Sequence, residues 1–181
     1  PGAAELVTPR KARSKMKYKE TAAAVVRRYG GDILGSQGML LSQSFRQHGD
    51  VSVALHCFFA AVVCVRLARA LALRVDTRAL VRGALLHDYF LYDWHDPDPS
   101  HRLHGFRHAG FALRNAGRDF SLGPIERNMI ASHMFPMNLV LPRFRESLLL
   151  CLADKICSFC ETFHLAPPVG KDGLEQRSKF Q

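Results

Sequence analysis

From Val53 to Leu73 only His56, Arg66 and Arg69 interrupt a run of apolar side chains. A segment of this kind cannot rest on a surface with one face in water. It demands neighbours on most sides, and its length without turn residues makes it a helix. Asp50 or Ser52 can cap its start. The rest of the chain must supply the wrapping, and its periodicity is helical as well. A second apolar helix starts near Asp76, a good N-cap, and carries Leu80, Val81, Ala84, Leu85 and Leu86 into the pair His87-Asp88. One helix crosses His101 to Ala116 and stops at Gly117, another opens on Pro124 and runs to His133, and the last long one follows Pro142 and carries Leu148 to Phe159. Period-two alternation is nowhere sustained for a strand's length. The expected fold is all-α, a compact helical bundle.

The 181 residues, 48% of them hydrophobic, suffice for one domain with a sizeable core. Residues 1–30 read as a basic N-terminal arm, 31–163 as the helical domain, and 164–181, with Pro167, Pro168, Gly170 and Gly173, as a tail. Residues 1–28 hold eight Lys and Arg against Glu5 and Glu20, and so supply six of the formal net charge of +9. Such an arm attracts nucleic acid or anionic lipid through counterion release. Only Tyr18 is interleaved for base stacking, which favours a solvated terminus over a nucleic-acid arm.

No apolar core of the length a secretory signal needs follows the basic residues. The longest unbroken apolar run, Cys57 to Val65, has nine residues, against roughly 20 for a membrane span. These points predict a soluble, cytoplasmic protein with no membrane partner. Five cysteines, all within apolar helical patterns, fit buried reduced thiols in that compartment. Cys157-Ser-Phe-Cys160 has zinc-like spacing, but a closed zinc site needs four ligands and no second close Cys pair exists, so packing is the better reading.

The remaining puzzle is polar. His56 sits in the most apolar helix, His87 and Asp88 end the next, His133 closes another, and Asp154 lies between Leu152 and Ile156. Singly, each reads as a cap or a satisfied core residue. Buried unpaired, each would cost several kcal/mol. A shared divalent cation removes that cost, because imidazoles and carboxylates are its natural ligands. Adjacent His87 and Asp88 point about 100° apart on a helix, so one ion reaches both only at the helix end, in a crevice between helices.

The order His56, His87-Asp88, Asp154, with Ala-Leu-Leu immediately before the pair, resembles the HD-domain superfamily of metal-dependent phosphohydrolases over roughly residues 45–163. The resemblance implies an HD-type bundle holding a divalent metal (Mn, Fe, Ni, Co, Mg or Zn) through His56, His87, Asp88 and Asp154, and hydrolysis of a phosphate ester or anhydride in a small substrate such as a nucleotide. Members with two metals add histidines between the pair and the last Asp. His108 resembles one of these, although Ala109 stands where those members often have Pro, and His133 resembles the next. The Gly-Tyr-Pro run and His-His-Glu of the cyclic-dinucleotide phosphodiesterase branch are absent, since Met134 and Phe135 follow His133.

Besides His87 and Asp88, Lys155, directly after Asp154, is the candidate catalytic cation. Arg107 beside His108 is a candidate for substrate phosphate. His104 is a candidate for substrate contact or for supporting the ligands. His48, in the turn before the His56 helix, can orient substrate. Trp94 belongs to the aromatic run Tyr89 to Trp94, which offers an apolar wall. His95 and His101 read as loop residues. A homodimer is compatible with this reading. Two alternatives stand beside it: a non-catalytic HD-like module that binds metal or nucleotide, with the arm docking it on nucleic acid, and a plain bundle whose polar residues are caps and core hydrogen-bond partners.

Overall fold

The computed structural model describes residues 20–96 and 104–180, apart from the side chains of His104 and Lys179. The basic arm up to Lys19, the segment 97–103 with His101, and the side chain of His104 therefore lie outside the described residues.

Helices dominate: α1 (Ala22–Leu34), α2 (Gln37–Leu41), α3 (Val53–Ala70), α4 (Thr77–Leu86), α5 (His104–Asp119), α6 (Pro124–Ser132), α7 (Arg145–Thr162) and α8 (Lys171–Leu174). Local chemistry starts several of them. The hydroxyls of Thr21, Ser36 and Ser52 accept from the amides of Ala24, Met39 and Leu55, and the Asp76 carboxylate accepts from Ala79 N at 2.9 Å. Each cap satisfies an amide that the first turn leaves without a partner. Glu146 at the start of α7 accepts from the Asp76 amide at 2.8 Å, which ties the beginnings of α4 and α7 together.

α3 is the axis of the bundle and packs on α1, α4 and α7. Fourteen of its 18 residues are buried. By length and mean hydropathy this helix could cross a membrane, but 78% of the apolar window is covered by the rest of the bundle. α4 fits between α1 and α6 because glycines let it come close. A Cβ on Gly30 would collide with the Leu85 side chain, and one on Gly83 would lie 2.5 Å from the Met129 sulfur.

Three boundaries differ from expectation. The arm does not extend to residue 30: α1 begins at Ala22 and buries Val25, Val26 and Ile33, because a short basic-flanked apolar stretch becomes core once α3 and α4 cover it. Gly117 does not end α5, which runs two residues further, and this glycine does not take the left-handed conformation that closes helices. Residues 164–180 are not a loose tail. Val169 is fully buried, and the ring of Phe180 lies 5.3 Å from that of Phe58 on α3.

Two strands too short to produce an alternating pattern, β1 (Arg46–His48) and β2 (Val51–Ser52), pair as a hairpin. Its turn uses Gly49 at φ +56°, where a Cβ would come within 3.1 Å of the Glu161 carbonyl oxygen. The hairpin thus rests on the end of α7 and carries Gln47 and His48 to one end of the bundle.

Candidate metal centre

That end of the bundle collects the polar residues. α3 contributes His56, the C-terminus of α4 contributes His87 and Asp88, α5 His108, the end of α6 His133, and α7 Asp154. All six are buried, none more than 7% exposed. His56 Nε2 lies 3.2 Å from both His87 Nε2 and Asp154 Oδ1, and His87 Nε2 lies 3.7 Å from that oxygen. On the other side, His108 Nε2 lies 2.8 Å from His133 Nε2 and 3.2 Å from Asp88 Oδ1, while His133 Nε2 is 3.4 Å from the same oxygen. Asp88 stands between the groups. Its Oδ2 faces His87 at 3.4 Å and His56 at 3.8 Å, and its Oδ1 faces His108 and His133.

The outer nitrogens decide what these imidazoles offer. His87 Nδ1 lies 2.7 Å from Ala84 O and His133 Nδ1 lies 2.8 Å from Ile130 O. A carbonyl only accepts, so both Nδ1 atoms carry protons and both Nε2 atoms of the neutral rings present lone pairs inward. His56 Nδ1 similarly meets Glu161 Oε2 at 2.8 Å. Lone pairs and carboxylates therefore converge on one another, an arrangement that needs positive charge at its centre.

Protonation directions show the same need. Burial opposes protonation of His56, yet Glu161 and Asp154 hold it well above the ordinary histidine value. His87 is raised likewise against its burial, chiefly by Asp88, with Cys57 and Asp154 adding to the effect. Burial would push the Asp88 and Asp154 carboxyls up, but the surrounding imidazoles hold both far below the ordinary carboxylate value. Burial lowers His133.

The donor set fits divalent metal. Around an ion with bonds of about 2.1 Å, adjacent ligand atoms stand about 3.0 Å apart in an octahedron and about 3.4 Å apart in a tetrahedron. The spacings above, from 2.8 to 3.8 Å, bracket these edges. Two triads, His56-His87-Asp154 and His87-Asp88-His133, each keep their donor atoms within 4.8 Å of one another, and His108 adjoins the second. Imidazole-rich ligation of this kind suits Fe, Co, Ni or Zn better than Mg or Mn. No cysteine belongs to these groups among the described residues, and Cys157 and Cys160 are free thiols.

A cavity of about 460 Å³ opens on the cluster. Of the other expected site residues, Lys155, His48 and Trp94 line it. Lys155 Nζ donates to Cys151 O at 3.2 Å and His133 O at 3.5 Å, which holds the ammonium at the wall. Arg107 is not brought in. It is exposed, its guanidinium lies 5.3 Å from the Phe111 ring centroid, and it lines a separate groove with Phe106 and Arg114. Nor does the aromatic run form a wall as a whole. Tyr89 and Phe90 are core residues, and Trp94 is the ring of that run on the cavity lining.

Several neighbours were not singled out by sequence reasoning. Gln47 donates to Asp88 Oδ2 at 2.5 Å, Ser158 to Asp154 Oδ1 at 3.3 Å, and Met134 and Met137 join the lining. Glu161, 3% exposed, is the most consequential. Its one sequence signal is its position two helical turns after Asp154, on the same face of α7. A larger cavity of about 620 Å³, lined by Tyr29, Arg69 and Arg74 where α1, α3 and α4 meet, has no cluster of metal-binding side chains among the described residues.

Comparison with family models, with curated proteins and with solved structures finds no match to this chain.

Proposed function

We propose that this protein is a small HD-type metal-dependent phosphohydrolase that cleaves a phosphate ester or anhydride bond in a small phosphorylated compound such as a nucleotide. The observation that carries the reading is the convergence of four imidazole Nε2 atoms on two buried carboxylates with Asp88 between the groups. With neutral rings, His56, His87 and His133 turn Nε2 lone pairs toward carboxylates, so the balancing positive charge comes from protons on His56 and His87 or from a cation that replaces them.

A divalent cation supplies, at neutral pH, a water acidic enough to attack and a Lewis acid for a phosphoryl oxygen. The chain's own residues do the rest. Asp154 and Asp88 remain ionised and balance the cation charge, and Nδ1 hydrogen bonds lock the rings of His56, His87 and His133 so that Nε2 faces the centre. The Lys155 ammonium at the cavity wall is placed to bind the phosphate as a point charge, and Ser158 Oγ offers a hydroxyl beside it. Trp94, Met134 and Met137 give the organic part of the substrate an apolar wall and reduce the water around the phosphate.

The test is metal analysis of the purified chain followed by a panel of phosphomonoesters, phosphodiesters and nucleotides with Mn, Fe, Co, Ni, Zn or Mg added. Activity that is metal-dependent and absent from Asp88→Asn supports the reading. A wild type that hydrolyses nothing faster than this variant sinks it.

A further inference from the structure

The two halves of the cluster are built differently. In the inner half, His56 and His87 are fully buried and away from the cavity, and only Asp154 reaches it; in the outer half, His108, His133 and Asp88 all line it. The support behind them differs too. His133 leans on a backbone carbonyl, whereas His56 leans on the carboxylate of Glu161 at 2.8 Å. Glu161 Oε1 is buried with no hydrogen-bond partner of its own. The last turn of α7 therefore places a full negative charge, wholly out of water, directly behind one imidazole. A carboxylate there makes the facing Nε2 a stronger donor to a cation than a carbonyl does. It also adds charge: the inner half has Asp154 and Glu161 beside it, and the outer half has only its share of Asp88.

We infer that Glu161 is a positioning residue that makes the His56-His87-Asp154 half a tight, enclosed cation site, while the Asp88-His108-His133 half is a weaker, exchangeable one open to the cavity. The inference rests on the metal reading given above and adds an order to it. The inner cation is resident. The outer one comes and goes through the cavity, where a substrate phosphate adds oxygen ligands and retains it.

The experiment uses the full chain, stripped with chelator and titrated with Co²⁺ by calorimetry and visible absorption. Wild type is expected to fill in two steps, at least about tenfold apart. Glu161→Gln keeps the shape and a hydrogen-bond acceptor but removes the charge; it should weaken the first step by about 10–100-fold and leave the second within threefold. His133→Ala should remove the second step alone. Brief chelation of the doubly loaded wild type, then desalting, should leave one equivalent bound.

A single filling step overturns the inference, as does a Glu161→Gln variant that weakens both steps alike or neither. If Glu161→Gln loses its far-UV circular dichroism, His133→Ala decides: loss of both steps, or of neither, is the overturning result. Wild type that binds no Co²⁺ removes the metal reading and this inference together. Two-step binding without hydrolysis of any substrate leaves the inference intact and sinks the phosphohydrolase reading instead.

Discussion

Two groups of charge at α4 are of opposite character, one at the edge of the fold and one buried within it. On α4, Arg82 is 4% exposed and gives its Nη1 to both oxygens of Asp32 on α1, at 2.7 and 2.8 Å. Just past the end of the same helix, His87 and Asp88 enter a cluster of imidazole nitrogens and carboxylates that a proton or a cation must balance. In the first group opposite charges meet directly and the carboxylate still reaches water, with Arg82 Nε alone left without a partner. The second is complete only when something positive is added. Burial alone therefore does not distinguish structure from function here; the balance of donors against acceptors does.

Substitutions can break that contrast, and the largest effect belongs to the cluster. Asp88→Asn or Asp154→Asn should lower turnover by roughly 10³-fold or more, since a lost charged ligand removes several kcal/mol of transition-state stabilisation. Without metal the same variants should unfold more easily than wild type, since each removes an ionised partner of the raised imidazoles. Wild type should gain stability on adding Co²⁺, as measured by thermal denaturation at pH 8, and the variants should gain little; equal gains would make the cluster structural after all.

At the Arg82 pair the pattern should reverse. Asp32→Ala leaves a buried guanidinium short of its partner and should cost about 1–3 kcal/mol of stability, read from urea denaturation, with Co²⁺ affinity unchanged. A matching loss of Co²⁺ affinity would show that the two groups are coupled.

Solution pH sharpens the comparison further. His56 and His87 have raised values in the metal-free fold, so their contribution is present below the ordinary 6.5 and disappears as pH rises through the raised values. Asp88 and Asp154 have lowered values, so theirs is present above the ordinary 3.8 and disappears as pH falls through the lowered ones. Metal-free protein should therefore be most stable between about 4 and 6.5 and weaken toward pH 8. Added cation should stabilise increasingly over that same rise, because it competes with the histidine protons. Melting curves at pH 5.5, 7 and 8 with and without Co²⁺ measure both trends; a cation effect independent of pH would contradict them.

The smallest effects separate the two cations nearest the site in sequence. Lys155→Met should raise KM by about tenfold, roughly the worth of one charge-assisted contact, with a smaller effect on kcat. Arg107→Ala should change kcat/KM by less than about twofold, as expected of an exposed side chain that lines a separate groove. Equal losses in the two variants would mean that the groove beside α5 also takes part in binding.

Much of this was legible in one dimension. The continuous apolar stretch of α3 demands a bundle, Ser52 and Asp76 mark where two helices start, and five of the six buried ligand candidates stand out as polar residues on apolar faces. Those signals are local: periodicity and capping act over a few residues and leave a pattern. Signals that depend on distant neighbours are absent. Phe180 packs in the core against Phe58, and Arg107 faces a groove beside α5 rather than the site.

The sequence by itself determined that the chain folds as helices around an apolar axis and that several imidazoles and carboxylates must be buried with it. Only the tertiary structure decided how they divide. Gln47 reaches Asp88 across 41 residues, and Glu161 reaches His56 across 105. The physical reason is that a carboxylate behind an imidazole acts over about 3 Å of space, and no spacing along the chain encodes that distance.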